Sequence, residues 1–231
     1  MGHDVFALLG SPLPLFNIQK GRVDYILDVM TDQRLKARPY QVATFMERQD
    51  IIPLIAQEAD LAWLRLRPPL AVYMDSFSEL TDQLFVHRQN QWRFCCNYSD
   101  LRHSSEFDIQ FEAMGLLPVA DLLMYYRRFF SMVRQRWGNI PILFLHFPTT
   151  LDKREKFQLR YKHIRESITQ VAQEFQPFYS LTVDDSIVDW PEVKTPGLED
   201  FPYHYNQRTY QASADQVRAT KVLESFKAKR R

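Results

Sequence analysis

The stretch NIPILFLHFPTT, residues 139–150, is the clearest strand signal in the chain. Its four consecutive apolar residues, Ile142 to Leu145, are typical of a strand buried on both faces of a parallel sheet. The following segment, residues 152–175, places apolar side chains at three- and four-residue steps, which predicts a long amphipathic helix. A buried strand followed by such a helix indicates an α/β architecture.

Three further segments have the profile of core strands. PPLAVYMDSF (68–77) and FYSLTVDD (178–185) each carry an apolar run that ends in acidic residues. FALLGSPLPLF (6–16) contains the end of a third run, Val5 to Leu9, which we interpret as the first strand because Gly10 and Pro12 bound it. These strands are predicted to join the main parallel sheet.

Helical periodicity separates the predicted strands. It covers the segments 21–30, 46–66, 105–137, 152–175 and 207–231. We expect Pro53 to kink the second of these helices and Gly138 to cap the end of the third.

Alternation of apolar and polar residues on either side of Arg88 to Gln91 predicts a two-stranded hairpin. We expect residues 83–99 to project from the main sheet and to line the pocket. At 231 residues the chain suits one domain with this hairpin as an insertion. The predicted fold is an α/β three-layer α/β/α sandwich with a mainly parallel sheet.

Composition excludes several classes of partner and cofactor. A formal net charge of +1 gives no field that would favour nucleic acid, and no apolar run reaches the roughly 18 residues that a membrane span requires. Cys95 and Cys96 are adjacent and point to opposite faces of a strand, so a disulfide between them is not expected and a cytoplasmic location fits. Glycine-rich phosphate loops and metal-ligand spacings are missing, so we expect neither cofactor nor metal.

Ligands of parallel sheets bind beyond the carboxyl ends of the strands. In this chain the rule selects Ser11, Asp75, residues 146–150, Asp184 with Asp185, and His204. A reactive serine and a histidine at one edge of a sheet are the ingredients of nucleophilic catalysis.

Three of these segments carry a family resemblance: LLGS (8–11), AVYMDSFSELTD (71–82) and FPYHYNQRTY (201–210). Together they resemble the SGNH or GDSL-like hydrolases, and within them the bacterial subfamilies whose first strand ends in Gly-Ser. The resemblance implies that Ser11 is the nucleophile and His204 the base. It also implies a pocket with an oxyanion-binding part around Gly10, Asp75 and Ser76.

The chain departs from the family pattern at several positions. Position 201, three residues before His204, is Phe201 instead of aspartate, so the nearest acid, Asp200, becomes the candidate orienting carboxylate. Asp75 stands near the place of an asparagine that donates to the oxyanion, and an ionised carboxylate cannot donate. Pro12 follows the serine and has no N–H.

Structural roles are the alternative for each candidate. Ser11 before Pro12 fits a helix cap, His204 a hydrogen-bonded loop residue, and Asp75 an acceptor for backbone amides. His146 is expected to be packed rather than to ligate a metal. Cys95 and Cys96 are expected to pack within the hairpin.

The function implied by the resemblance is a serine-dependent esterase or acyltransferase that acts through an acyl-Ser11 intermediate. The expected substrate is a small-molecule ester, with carbohydrate esters among the candidates. A non-catalytic SGNH-like binding or assembly protein is the alternative, because fold alone does not imply function. The sequence leaves the oligomeric state open.

Overall fold

A computed structural model describes residues 2–10, 20–59, 68–193 and 201–224. The chain divides into two compact units. Unit 1 comprises Met1–Pro14, Pro68–Ser76 and Ser131–Arg231. Unit 2 comprises Leu15–Arg67 and Phe77–Phe130.

Helices and strands are mixed along the described chain, and the predicted α/β class is confirmed. The strands are β1 (Val72–Asp75), β2 (Asp82–His87), β3 (Arg93–Asn97), β4 (Phe111–Gly115), β5 (Ile142–Leu145) and β6 (Phe178–Leu181). The helices are α1 (Gly2–Leu9), α2 (Val23–Thr31), α3 (Pro39–Val42), α4 (Ile52–Ala59), α5 (Phe77–Thr81), α6 (Ser105–Gln110), α7 (Leu122–Trp137), α8 (Glu155–Glu174) and α9 (Gln207–Ala219). The three-layer sandwich and the single domain with a hairpin insertion stay predictions. No helix in the described ranges is both long and apolar enough to cross a membrane.

Unit 1 contains a parallel sheet in the order β1-β5-β6. All three strands were predicted from their apolar runs. Asp75, Leu145 and Leu181 lie at the same level in the register, so the carboxyl ends of the strands meet at one edge. Every residue of β5 is buried, which explains its uninterrupted apolar sequence.

Helices pack on the sheet of unit 1 through apolar side chains. One cluster joins α1 and α9 to the sheet and consists of Val5, Leu143, Leu145, Leu181, Ala214, Val217 and Val222. On the opposite face, Phe144 of β5 stacks on Phe178 of β6. Tyr161 of α8 contacts His146, which lies immediately after β5 and on the same face as Phe144.

The prediction of a first strand at Val5 to Leu9 is wrong, because these residues belong to α1. Five apolar residues fit a short strand and a buried helical turn equally well. Val5, Leu8 and Leu9 follow helical spacing and all contact the core that α9 shares. Gly10 ends the helix with a φ of +57°, which glycine adopts without steric cost.

The helix expected at residues 105–137 is interrupted, and this prediction is also wrong in part. Phe111 to Gly115 form β4, which pairs with β2, so a long-range partner overrides the local preference. Helix α7 then ends where predicted. Gly138 has a φ of +69° and donates its N–H to the Arg134 carbonyl over 2.9 Å.

Unit 2 contains an antiparallel sheet in the order β3-β2-β4. The predicted paired strands are confirmed, since Leu84 lies opposite Cys95 and Phe85 opposite Phe94. Whether the hairpin projects and lines a pocket stays a prediction. Pro53 lies in the first turn of α4, where proline is tolerated, and therefore does not kink a longer helix.

Buried aromatic residues dominate the core of unit 2. One cluster in it comprises Ala37, Val42, Phe45, Met46, Ile51, Ile55, Phe85, Trp92, Phe94, Cys96, Leu101, Phe107 and Phe111. Both cysteines are buried thiols, which fits the interpretation of packing residues. The sheet of unit 2 therefore packs mainly through buried aromatic and aliphatic side chains.

Candidate functional site

The carboxyl edge of the parallel sheet in unit 1 is the candidate functional site. Strand β1 ends at Asp75, β5 leads into His146, and β6 leads toward Asp184 and Asp185. This is the edge at which parallel sheets bind their ligands. The rule that ligands bind beyond the carboxyl ends of parallel strands selected Asp75, His146, Asp184 and Asp185, and the structure places these residues at one edge of the sheet.

Asp75 and Ser76 occupy the end of β1 but differ in burial. Asp75 is half-buried, whereas Ser76 has no exposed surface. Ser76 donates its N–H to the Leu145 carbonyl over 3.3 Å, and its Oγ accepts a hydrogen bond from the Phe147 N–H at 2.9 Å. The hydroxyl therefore holds the end of β1 against the chain that leaves β5.

Two tyrosines hold the loop of His204 at this edge. The Tyr203 hydroxyl donates to Asp152 Oδ2 over 2.5 Å. The Tyr205 hydroxyl donates to the Pro148 carbonyl over 2.6 Å. Because His204 lies between these two anchors, its backbone is fixed beside the segment that follows β5.

The histidine itself is half-buried in an aromatic environment. Its N–H donates to the Phe201 carbonyl over 3.3 Å, and the ring of Phe201 stands edge-on to the imidazole with the centroids 5.2 Å apart. The imidazole therefore extends from a loop that is anchored on both sides of His204 by hydrogen bonds. A general base needs to be held in position in this way.

Burial and hydrogen bonding keep the anchoring phenols protonated. Burial, followed by the bond to Asp152, raises the pKa of Tyr203 above its ordinary value. Burial also raises the pKa of Tyr205 well above that value. Both hydroxyls therefore remain donors, and the two anchors persist across the neutral pH range.

Asp152 is the charged acceptor of this group. It is 2% exposed and also receives two hydrogen bonds from the Arg154 guanidinium, at 2.8 Å and 2.7 Å, and one from the Arg154 backbone N–H at 3.0 Å. Burial on its own raises the pKa of Asp152, but the hydrogen bonds from Arg154 and Tyr203 outweigh it and lower the pKa below its ordinary value. The carboxylate therefore stays ionised and holds Tyr203.

Gly10 does not join this group. Arg218, in the last turn of α9, donates to the carbonyl of Leu8 over 2.6 Å, so the end of α1 lies beside the end of α9. His204 precedes the first turn of the same helix, and a helix of 13 residues is roughly 20 Å long. Gly10 and His204 therefore lie toward opposite ends of α9.

Two predicted site residues, Ser11 and Asp200, lie outside the described residues.

The two acids after β6 form local hydrogen bonds. Asp184 accepts from the Ser186 N–H at 2.8 Å, and Asp185 accepts from the Thr150 hydroxyl at 2.7 Å. Within the described ranges, no three His, Cys, Asp or Glu side chains are grouped so that they could hold a metal ion.

Sequence reasoning missed the two anchors of the His204 loop. Tyr203 and Tyr205 flank the histidine directly, and this symmetrical pattern was the available signal. Asp152 gave no comparable signal, because an acid before a helix fits an ordinary capping residue. Its contact with Tyr203 joins residues 51 positions apart.

The chain has no match among protein-family models, curated proteins or solved structures. The resemblance to SGNH hydrolases therefore stays a prediction, and so do the roles that it implies for Ser11 and His204.

Proposed function

We propose that the chain is a serine-dependent esterase or acyltransferase with its site at the carboxyl edge of unit 1. Its substrate would be an acyl ester of a small molecule or a carbohydrate. The observation that supports this proposal is the anchored loop of His204. The hydroxyls of Tyr203 and Tyr205 donate the hydrogen bonds that hold that loop beside the end of β5.

In the proposed reaction the Ser11 hydroxyl attacks the acyl carbon and passes its proton to His204. The ester C–O bond breaks, and the leaving alcohol takes the proton from the imidazole. Water or an acceptor hydroxyl then attacks acyl-Ser11, with His204 as the base again. Asp200 would orient the imidazole, and Ser76 would border the acyl group.

A non-catalytic binding or assembly protein is the second candidate, and two observations favour it. Gly10 lies toward the end of α9 remote from His204, although Ser11 follows it directly in the chain. Asp75 ends β1 where the family has an amide donor, and an ionised carboxylate can only accept. In this candidate the same edge would bind a ligand without breaking an ester.

A fluorophosphonate probe with peptide mapping distinguishes the two candidates. The esterase predicts that the probe labels Ser11. It also predicts that Ser11→Ala and His204→Ala each lower ester hydrolysis by about 10³-fold or more. Ser105→Ala, at an exposed serine of unit 2, is the matched control and should leave hydrolysis unchanged.

Thermal unfolding of the same variants completes the test. If Ser11 is a nucleophile, Ser11→Ala should melt like the wild type, whereas loss of a helix cap would cost about 0.5–2 kcal/mol. A lower melting temperature with unchanged hydrolysis would reject Ser11 as the nucleophile and favour the binding protein.

A further inference from the structure

A serine–histidine pair lies on the face of the unit 1 sheet that carries Phe144 and packs against Tyr161 of α8. Ser180 Oγ of β6 is 2.9 Å from Nε2 of His146. Ser180 is exposed, whereas His146 is 1% exposed. A surface hydroxyl that is hydrogen-bonded to an imidazole is the basic arrangement of an activated nucleophile.

The register of the parallel sheet creates this pair. Phe144 lies opposite Ser180, and His146 follows two residues later on the same face of β5. The His146 N–H donates to the Leu181 carbonyl over 2.8 Å, which continues the ladder between the two strands. The positions of both side chains are therefore set by backbone pairing rather than by a loop.

The ring of His146 is enclosed on its other sides. Phe144 and Tyr161 stand 5.2 Å and 6.2 Å from it, measured between ring centroids. Its Nδ1 is buried and has no hydrogen-bond partner among the described residues. Leaving such a group unpaired costs free energy, and packing alone does not explain why an imidazole stands here instead of an apolar side chain.

A shallow, open groove of about 670 Å³ lies along the exposed face of α8, and every described residue that lines it belongs to that helix. Tyr161 belongs to both features, because it lines the groove and contacts His146. Lys162 and Arg165 provide two cations in the groove wall against one carboxylate, Glu166. An arginine fork is suited to a carboxylate, so this groove favours an anionic ligand.

We propose that Ser180 is the nucleophile of a second ester-cleaving site, whose substrate is an ester with a carboxylate on its acyl part. Arg165 and Lys162 hold that carboxylate, and His146 is the base. This inference goes beyond the proposed function, because neither Ser11 nor His204 takes part in it.

In the reaction a bond forms between Ser180 Oγ and the acyl carbon, and the bond from that carbon to the alcohol oxygen breaks. The hydroxyl proton moves to His146 Nε2 and then to the leaving alcohol. Water attacks the acyl-serine next and returns Ser180 and the free acid. Atoms and charge balance with water as the only co-reactant.

An anionic substrate would also improve the base. Burial and then the charge of Arg165 lower the pKa of His146 to about 3, so the imidazole is neutral and only weakly basic. A carboxylate on Arg165 opposes the second of these effects and makes the imidazole more basic. Substrates without the carboxylate would leave the pKa of His146 unchanged.

The test compares mono-p-nitrophenyl succinate, which is anionic, with p-nitrophenyl butyrate, which is neutral. The wild type should have the higher kcat/KM for the succinate ester. Ser180→Ala should lower that value by about 10²-fold or more, because the nucleophile is lost. Arg165→Gln should reduce the preference for the anionic ester about tenfold, as expected for one charge-assisted hydrogen bond.

Two measurements separate this site from the one at His204. Ser186→Ala, at an exposed serine after β6, should cleave the succinate ester like the wild type, whereas Ser180→Ala should not. Mapping of the fluorophosphonate adduct should identify Ser180. His146→Gln, checked for an unchanged melt, should lose the cleavage.

Three outcomes would overturn the inference. They are an unchanged rate in Ser180→Ala, a fluorophosphonate map without Ser180, and a wild type without preference for the anionic ester. Cleavage that disappears in Ser11→Ala but not in Ser180→Ala would assign all ester chemistry to the first site. The two sites are therefore tested by different variants, and failure at Ser180 does not decide whether Ser11 is a nucleophile.

Discussion

Unit 2 buries Lys20 and Arg22 beside carboxylates in its interior, whereas the sheet edge of unit 1 holds mostly neutral polar groups around one buried carboxylate, Asp152. In unit 2, Lys20 lies 3.2 Å from Asp82 and 3.0 Å from Asp100. Arg22 forms two hydrogen bonds with Asp24 and donates to the Gly115 carbonyl over 2.6 Å. These side chains are almost wholly removed from water.

At the edge of unit 1 most polar contacts involve a neutral group instead. The Tyr203 hydroxyl donates to Asp152, and the Tyr205 hydroxyl donates to a backbone carbonyl. The imidazole of His146 is hydrogen-bonded to the hydroxyl of Ser180. Some of these groups, such as Ser180, remain exposed. The comparison teaches that the charges of unit 2 are shielded from any ligand, while the partly exposed neutral pairs of unit 1 are groups that a ligand could reach.

The largest expected effect concerns the charged cluster. Lys20→Met should lower the free energy of unfolding by about 3–5 kcal/mol, because it leaves two buried carboxylates without their cation. Urea denaturation measures the change.

The control for this prediction is Arg34→Met, since Arg34 pairs with Asp32 at the surface of unit 2. Screening by water makes that pair weak, so the variant should unfold like the wild type. Equal changes in both variants would mean that burial does not distinguish the two ion pairs.

A smaller effect is expected at the loop of His204. Tyr203→Phe removes the bond to the ionised Asp152 and should lower stability by about 1.5–3 kcal/mol. Tyr205→Phe removes a bond to a neutral carbonyl and should cost about 0.5–1.5 kcal/mol. Both are measured by denaturation, and the reverse order would contradict the role assigned to Asp152.

Two carboxylates should give opposite pH dependences. The pKa of Asp152 is lowered, so its contribution to stability is present above the unfolded-state pKa of about 3.9 and is lost as the pH falls through the folded-state pKa. Burial raises the pKa of Asp82 despite Lys20. Its contribution is therefore fully present below that unfolded-state pKa and is lost as the pH rises through the folded-state pKa.

Unfolding free energies of the wild type, Asp152→Asn and Asp82→Asn, measured from about pH 3 to pH 7, check this prediction. The advantage of the wild type over Asp152→Asn should grow with pH. Its advantage over Asp82→Asn should shrink with pH. Parallel trends would show that the two units do not differ in how they treat a buried carboxylate.

Local patterns in the sequence determined much of the fold. Strand β5 and helix α8 were predictable because an apolar run and a three-to-four-residue period each report burial directly. Gly138 was predictable as a cap because few other residues adopt its backbone conformation. Asp75 and His204 were selected by the rule for strand ends, which needs only the order of elements.

Tertiary structure alone decided the rest. Val5 to Leu9 form a helix because the apolar side chains on one face of that helix pack against α9 and the sheet. Phe111 to Gly115 form a strand because they pair with β2. The bonds from Tyr203 to Asp152 and between Ser180 and His146 join residues 51 and 34 positions apart. Local propensity carries no information about such partners, since only the packed sheet brings them within hydrogen-bond distance.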